Sequence, residues 1–142
     1  MSTKRVLAIH DLCAFGRCSL TAALPVISAM GFQVNPFPTA IFSNNLTYGD
    51  FTFSDFTPHM KEFMDQWQKL NFSYDAIYSG FLGSERQIGI VADFIRDFRT
   101  PDTVVVVDPV MGDDGQAYQT YTPPCAAAWP VWRSWRTSSP PI

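Results

Sequence analysis

The protein has 142 residues, enough for one domain with a sizeable core and too few for two of ordinary size. Its formal net charge of −3 comes without any basic block, which argues against nucleic acid as a partner. No apolar run is long enough for a membrane span, and Lys4-Arg5 leads into an apolar stretch too short for a signal peptide.

Cys13, Cys18 and Cys125 form no CxxC pair, so reduced thiols and a cytoplasmic location are expected. His10 and His59 are too few for a His-rich metal site. Arg5–Ile9 is a short apolar strand ending at His10-Asp11. Phe15-Gly16-Arg17 makes a turn, and Ser19 can cap a helix running to Gly31, with Pro25 forcing a kink or a later start. Phe32–Pro38 reads as a second strand whose prolines favour an edge position or an early end. Thr39–Phe56 shows little periodicity and predicts a long irregular segment, of a kind that commonly carries function.

Thr57-Pro58 is a helix start, and Met60, Phe63, Met64, Trp67 and Leu70 then mark one apolar stripe. Asp75–Tyr78 is the third strand, leading into Ser79-Gly80-Phe81-Leu82-Gly83. Ser84 and Gln87 fit a capping box for a helix that buries Ile88, Val91, Ile95 and Phe98. Thr103–Val107, with its run of valines, predicts a strand covered on both faces, as in a parallel sheet. The alternation of strands and helices gives an α/β fold with a mostly parallel sheet.

Strand ends on one sheet edge would gather Asp11, Ser43-Asn44-Asn45, Gly80-Phe81 and Asp108, where open α/β folds bind ligands. After the valine strand, Asp108-Pro109-Val110-Met111-Gly112-Asp113-Asp114-Gly115 packs acids and glycines into one loop. That composition suits Mg²⁺ and phosphate, since hard cations take carboxylate and water oxygens; it equally suits an ordinary Asp/Gly turn.

Taken together, Ile9-His10-Asp11, Phe42-Ser43-Asn44, Ser79–Gly83 and Asp108–Asp113 resemble the pyridoxal kinase family of the ribokinase-like superfamily, from about Arg5 to Pro123. The resemblance implies a three-layer fold and an ATP-dependent kinase acting on the 5′-hydroxymethyl of pyridoxal, pyridoxine or pyridoxamine. It also implies Mg²⁺, an aspartate base in a GxGD segment and a homodimeric full-length form. By resemblance, Asp11, Phe42, Asn45 and Phe81 bind substrate, while Asp108 and Asp113 serve Mg²⁺ and the ATP phosphates. Asp11 stands where the family usually has serine, Asn45 where histidine is frequent and Leu46 where threonine is common, which puts vitamer preference and the flap in doubt. Asp11 could also be a capping acid, and the two phenylalanines plain core residues. Asp114 and Glu85 are read as solvated charges.

Beyond Pro123 the family's ITPN and GxGD segments do not occur within these residues, and Trp129, Trp132 and Trp135 appear among prolines, including Pro130, Pro140 and Pro141. Read one nucleotide earlier, Trp129–Ile142 can encode MARLAELADIITPN, so a shifted frame is expected. Residues 1–122 are then the N-terminal part of a ribokinase-like kinase domain and 123–142 a non-homologous tail. The sheet would be incomplete on its C-terminal side, and the chain, truncated in this way, would be inactive alone. Three alternatives stand beside this: a hydroxymethylpyrimidine kinase, a non-catalytic vitamin-binding α/β domain and, more weakly, a flavodoxin-like domain.

Overall fold

A computed structural model of the protein describes residues 3–113, 115–118 and 121–128. Asp114 and the tail tryptophans Trp129, Trp132 and Trp135 lie outside the described residues, as do Pro130, Pro140 and Pro141. In chain order the elements are β1 (Arg5–Cys13), α1 (Ser19–Ala29), β2 (Gln33–Phe42), a 3₁₀ turn (Leu46–Tyr48), β3 (Phe53–Asp55) and α2 (Thr57–Lys69). They continue as β4 (Ala76–Ser79), α3 (Glu85–Phe98), β5 (Val104–Val107), the small strands β6 (Gly112–Asp113) and β7 (Gln116–Ala117), and α4 (Pro123–Ala128).

The main sheet has the order β3-β2-β1-β4-β5. β1 pairs in parallel with both β2 and β4, β4 pairs in parallel with β5, and only β3 runs antiparallel, against the end of β2. Passing from β1 to β2 steps one way along the sheet, whereas passing from β2 to β4 to β5 steps back the other way. Right-handed crossovers therefore place α1 on one face and α2 and α3 on the opposite face. The packing agrees: α1 lies on β1 and β2, while Leu7, Ile9, Phe37 and Ile77 form one core with Met60, Met64, Ile88, Val91, Phe94 and Ile95.

This topology explains where the elements depart from expectation. β2 continues through Pro36 and Pro38 to Phe42 instead of ending early, because β3 covers only Ala40–Phe42 and the proline-bearing stretch keeps an open outer edge. The segment predicted as irregular thus contains the end of β2, a 3₁₀ turn and β3, which fold back as a flap. Ser19 is the first residue of α1 rather than its cap; Cys18 occupies that position, and Pro25 is accommodated inside a helix that starts no later for it. Along α2, Phe63 and Leu70 are exposed at the margin of the stripe, while Met60 and Met64 are buried.

Among the described residues, β5 is covered on one face only. Val105 packs against the core, but Val104 and Val106 are 56% and 50% exposed. They belong to the α1 side of the sheet, and α1 sits two strands away over β1 and β2. α4 adds its buried Cys125 to the core beside α3.

Candidate functional site

The chain reverses its direction of travel at β1, so the crevice beyond the carboxyl ends of β1, β2 and β4 is the topological switch point of the sheet. A cavity of about 270 Å³ lies there, lined by His10, Asp11, Cys13 and Phe42 together with Asn45 and Phe81, with Val110 and Tyr118 closing its far side. The register between β1 and β2 slips between His10 and Leu12, where Thr39 and Ala40 of β2 lie opposite Asp11 alone. The extra residue lies on β2, and on β1 the consecutive residues His10 and Asp11 both line the cavity at the strand's carboxyl end.

Both side chains are buried. His10 Nδ1 stands 2.7 Å from Asp11 Oδ1 and 3.0 Å from the Asp11 amide, so the ring tautomer sets whether that nitrogen donates to the carboxylate or accepts from the backbone. The amide of Phe81 is directed at the same ring, 3.3 Å from Nδ1 and 3.4 Å from Nε2. The imidazole lies so close to β4 that a Cβ at residue 80 would sit 1.9 Å from His10 Cδ2. Only glycine fits there, which accounts for Gly80.

The Phe81 loop is fixed from below. Gly83 donates to Gln87 Oε1 at 2.7 Å, and Gln87 Nε2 donates to the Thr39 carbonyl and to Thr57 Oγ1, each at 2.8 Å. Thr39 Oγ1 donates to the Phe81 carbonyl at 3.0 Å. The capping box is therefore half made: Ser84 Oγ accepts from the Gln87 amide, but the Gln87 side chain turns inward to hold the loop.

Aromatic rings form the wall. Phe42 meets Phe81 edge-on at 6.1 Å and stacks on Phe53 at 5.4 Å. Asn45 belongs to the flap, which is laced to the turn after β1: its amide donates to the Phe15 carbonyl at 2.8 Å, and Phe15 packs edge-on against Tyr48 at 5.3 Å. Phe42 and Phe81 together make one apolar wall against which a flat ring can lie, and the buried carboxylate can accept from a ring hydroxyl or pair with an amine.

The structure thus brings Asp11, Phe42, Asn45 and Phe81 to one cavity, and Asp108 stands apart from them. Asp108 is exposed just beyond β5, its amide donating to the Ser79 carbonyl at 2.8 Å. Its carboxylate, after burial, contributes to pushing the Tyr78 phenol above its ordinary pKa. Asp113 lies in β6. No cluster of three or more potential metal ligands occurs among the described residues. Magnesium asks for less than that: it keeps several waters and takes one or two carboxylates plus phosphate oxygens, a donor set to which Asp108 is suited. Glu85 is exposed, in line with a solvated charge.

No family model matches the chain. A Schizosaccharomyces pombe protein provisionally named a pyridoxal kinase is 31% identical over 124 residues, which is 83% of this chain and 36% of that protein. A Bacteroides thetaiotaomicron protein, provisionally named a phosphomethylpyrimidine kinase and crystallised with pyridoxal, superposes with a TM-score of 0.87 at 48% identity, covering 89% of this chain and 44% of its own. Over the matched residues, the chain belongs to the pyridoxal kinase family. Pyridoxal kinase from Lactobacillus plantarum gives a TM-score of 0.82 at 29% identity over 92% of this chain and 46% of its own, so the ribokinase-like fold is shared. The chain spans less than half the length of these relatives.

Sequence reasoning did not single out His10, Cys13, Cys18 and Tyr118 as members of the site. The apolar run predicts a strand ending at Ile9, whereas β1 continues to Cys13 and carries both His10 and Asp11 to the cavity. Tyr118 arrives through the small β6-β7 pairing, too short to leave a pattern in sequence.

Proposed function

We propose that this chain carries the vitamer-binding part of a pyridoxal kinase, an enzyme that phosphorylates the 5′-hydroxymethyl group of pyridoxal, pyridoxine or pyridoxamine with ATP. The observation that carries the reading is the cavity at the switch point, which gathers a buried carboxylate and two phenylalanines packed edge-on in a chain 48% identical to a protein crystallised with pyridoxal. In this reading Phe42 and Phe81 hold the pyridine ring, Asp11 engages its polar substituents and Asn45 closes the flap. Asp108 and Asp113 would hold Mg²⁺ with ATP, where the ion offsets phosphate charge. The aspartate base belongs to a GxGD segment that does not occur in these 142 residues, so the chain binds vitamer without turning it over. Residues 1–122 are read as the N-terminal part of the kinase domain, 123–142 as the product of a shifted frame, and the full-length enzyme as a cytoplasmic homodimer.

A second reading has one observation in its favour, the phosphomethylpyrimidine kinase name given to the Bacteroides neighbour. Competition calorimetry separates the two. Pyridoxal should displace hydroxymethylpyrimidine at least tenfold more effectively than the reverse; the opposite ranking transfers the assignment to the pyrimidine.

A further inference from the structure

After β1 the chain doubles back through Gly16, whose φ of +122° permits the turn, and an isolated antiparallel bridge joins Leu12 to Ser19. Cys13 and Cys18, the next residues inward from that bridge, therefore stand opposite one another. Directly opposed residues of antiparallel strands have Cα atoms about 4.5–5.5 Å apart, within the range of about 4.4–6.8 Å that a disulfide spans. Both cysteines are free thiols, and both line the cavity. Thr21 pins the turn: its Oγ1 donates toward the carbonyls of Gly16 and Cys18, at 3.0 and 2.6 Å. Burial, followed by a hydrogen bond with Cys18, the Cys18 charge and the Asp11 carboxylate, pushes the Cys13 thiol up to about 11.

We propose that Cys13 and Cys18 are a redox modification site within the cavity, converted to an intramolecular disulfide by low-molecular-weight disulfides. Cys18 is partly exposed and Cys13 is 1% exposed, so Cys18 is the sulfur an oxidant reaches. Its thiolate attacks the disulfide RSSR and expels one thiolate, which takes up a proton. Cys13 then gives its proton to solvent and displaces the second thiolate from Cys18. Two protein thiols and one RSSR become one protein disulfide and two RSH, with no other oxidant required. The bond would cost Cys13 its contact with the Phe15 carbonyl, now 3.3 Å away, and would replace two thiols beside Asp11 with an apolar bridge. Cys125, buried in the core on α4 and not part of the cavity lining, serves as the internal control.

The test is to incubate the purified chain with oxidised glutathione, alkylate the remaining thiols and map peptides by mass spectrometry without reduction. The expected result is a peptide pair joined through Cys13 and Cys18, with free thiols falling from three to one and Cys125 alkylated. Cys13→Ser should instead accumulate glutathione on Cys18, a readout that does not depend on unchanged stability. A wild-type chain that retains three thiols, stops at a stable glutathione adduct on Cys18, or links through Cys125 overturns the proposal.

Discussion

Asp11 is a buried carboxylate held by its own neighbour, and that arrangement makes a direct prediction. Charge-assisted hydrogen bonds contribute about 1.5–3 kcal/mol, so Asp11→Ala should weaken pyridoxal binding by about tenfold or more, measured by calorimetry. An unchanged affinity would place the ligand elsewhere. Gly80→Ala makes a second residue-scale test. The added methyl would collide with the His10 ring, and overpacking of this kind costs about 1–3 kcal/mol, visible as a lowered melting temperature. Asp11 could be named from sequence because it follows an apolar strand. Gly80's role could not, because it depends on a side chain 70 residues earlier that only the sheet pairing brings alongside.

At the scale of elements, the loop carrying Phe81 depends on Gln87. Gln87→Leu would remove the acceptor of the Gly83 amide and the donor to the Thr39 carbonyl and Thr57 Oγ1, at a cost of about 0.5–1.5 kcal/mol for each hydrogen bond lost. Thermal denaturation should report the loss, and pyridoxal affinity should fall with it as Phe81 loosens. Apolar periodicity and helix starts made α2 and α3 legible in the sequence, and alternation made the parallel sheet legible. The capping-box motif misled at Gln87, because Ser-x-x-Gln has the same spacing whether the glutamine caps backward or reaches inward. Of the two outcomes the prolines of β2 allow, the open edge holds and the early end does not, because β3 pairs only with Ala40–Phe42 and the strand runs on to reach it.

At the scale of the whole molecule, the exposed valines of β5 follow from having α1 over the opposite half of the sheet. Val104→Thr with Val106→Thr should reduce light scattering of the concentrated chain while shifting stability by no more than about 0.5 kcal/mol, as for surface changes in general. Scattering that persists would trace association to another face. The run of valines could not reveal this exposure, since coverage of a strand depends on how many helices the rest of the chain supplies. The family likeness, in contrast, was fully legible, because its motifs lie at strand ends and keep their order without needing any tertiary contact. Catalysis belongs to the same scale: with ATP and pyridoxal, the purified 142-residue chain should give no pyridoxal 5′-phosphate above background, measured by absorbance.

The central claim is that the cavity beside Asp11 and Phe81 takes a B6 vitamer. Titration of the purified chain with pyridoxal, alongside Asp11→Ala and Phe81→Ala and with cooperative unfolding verified for each, tests it most directly. Saturable binding by the wild type, weakened at least tenfold in both variants, is the predicted result. A cooperatively folded wild-type chain that shows no saturable binding, or variants that bind as well as the wild type, would contradict it.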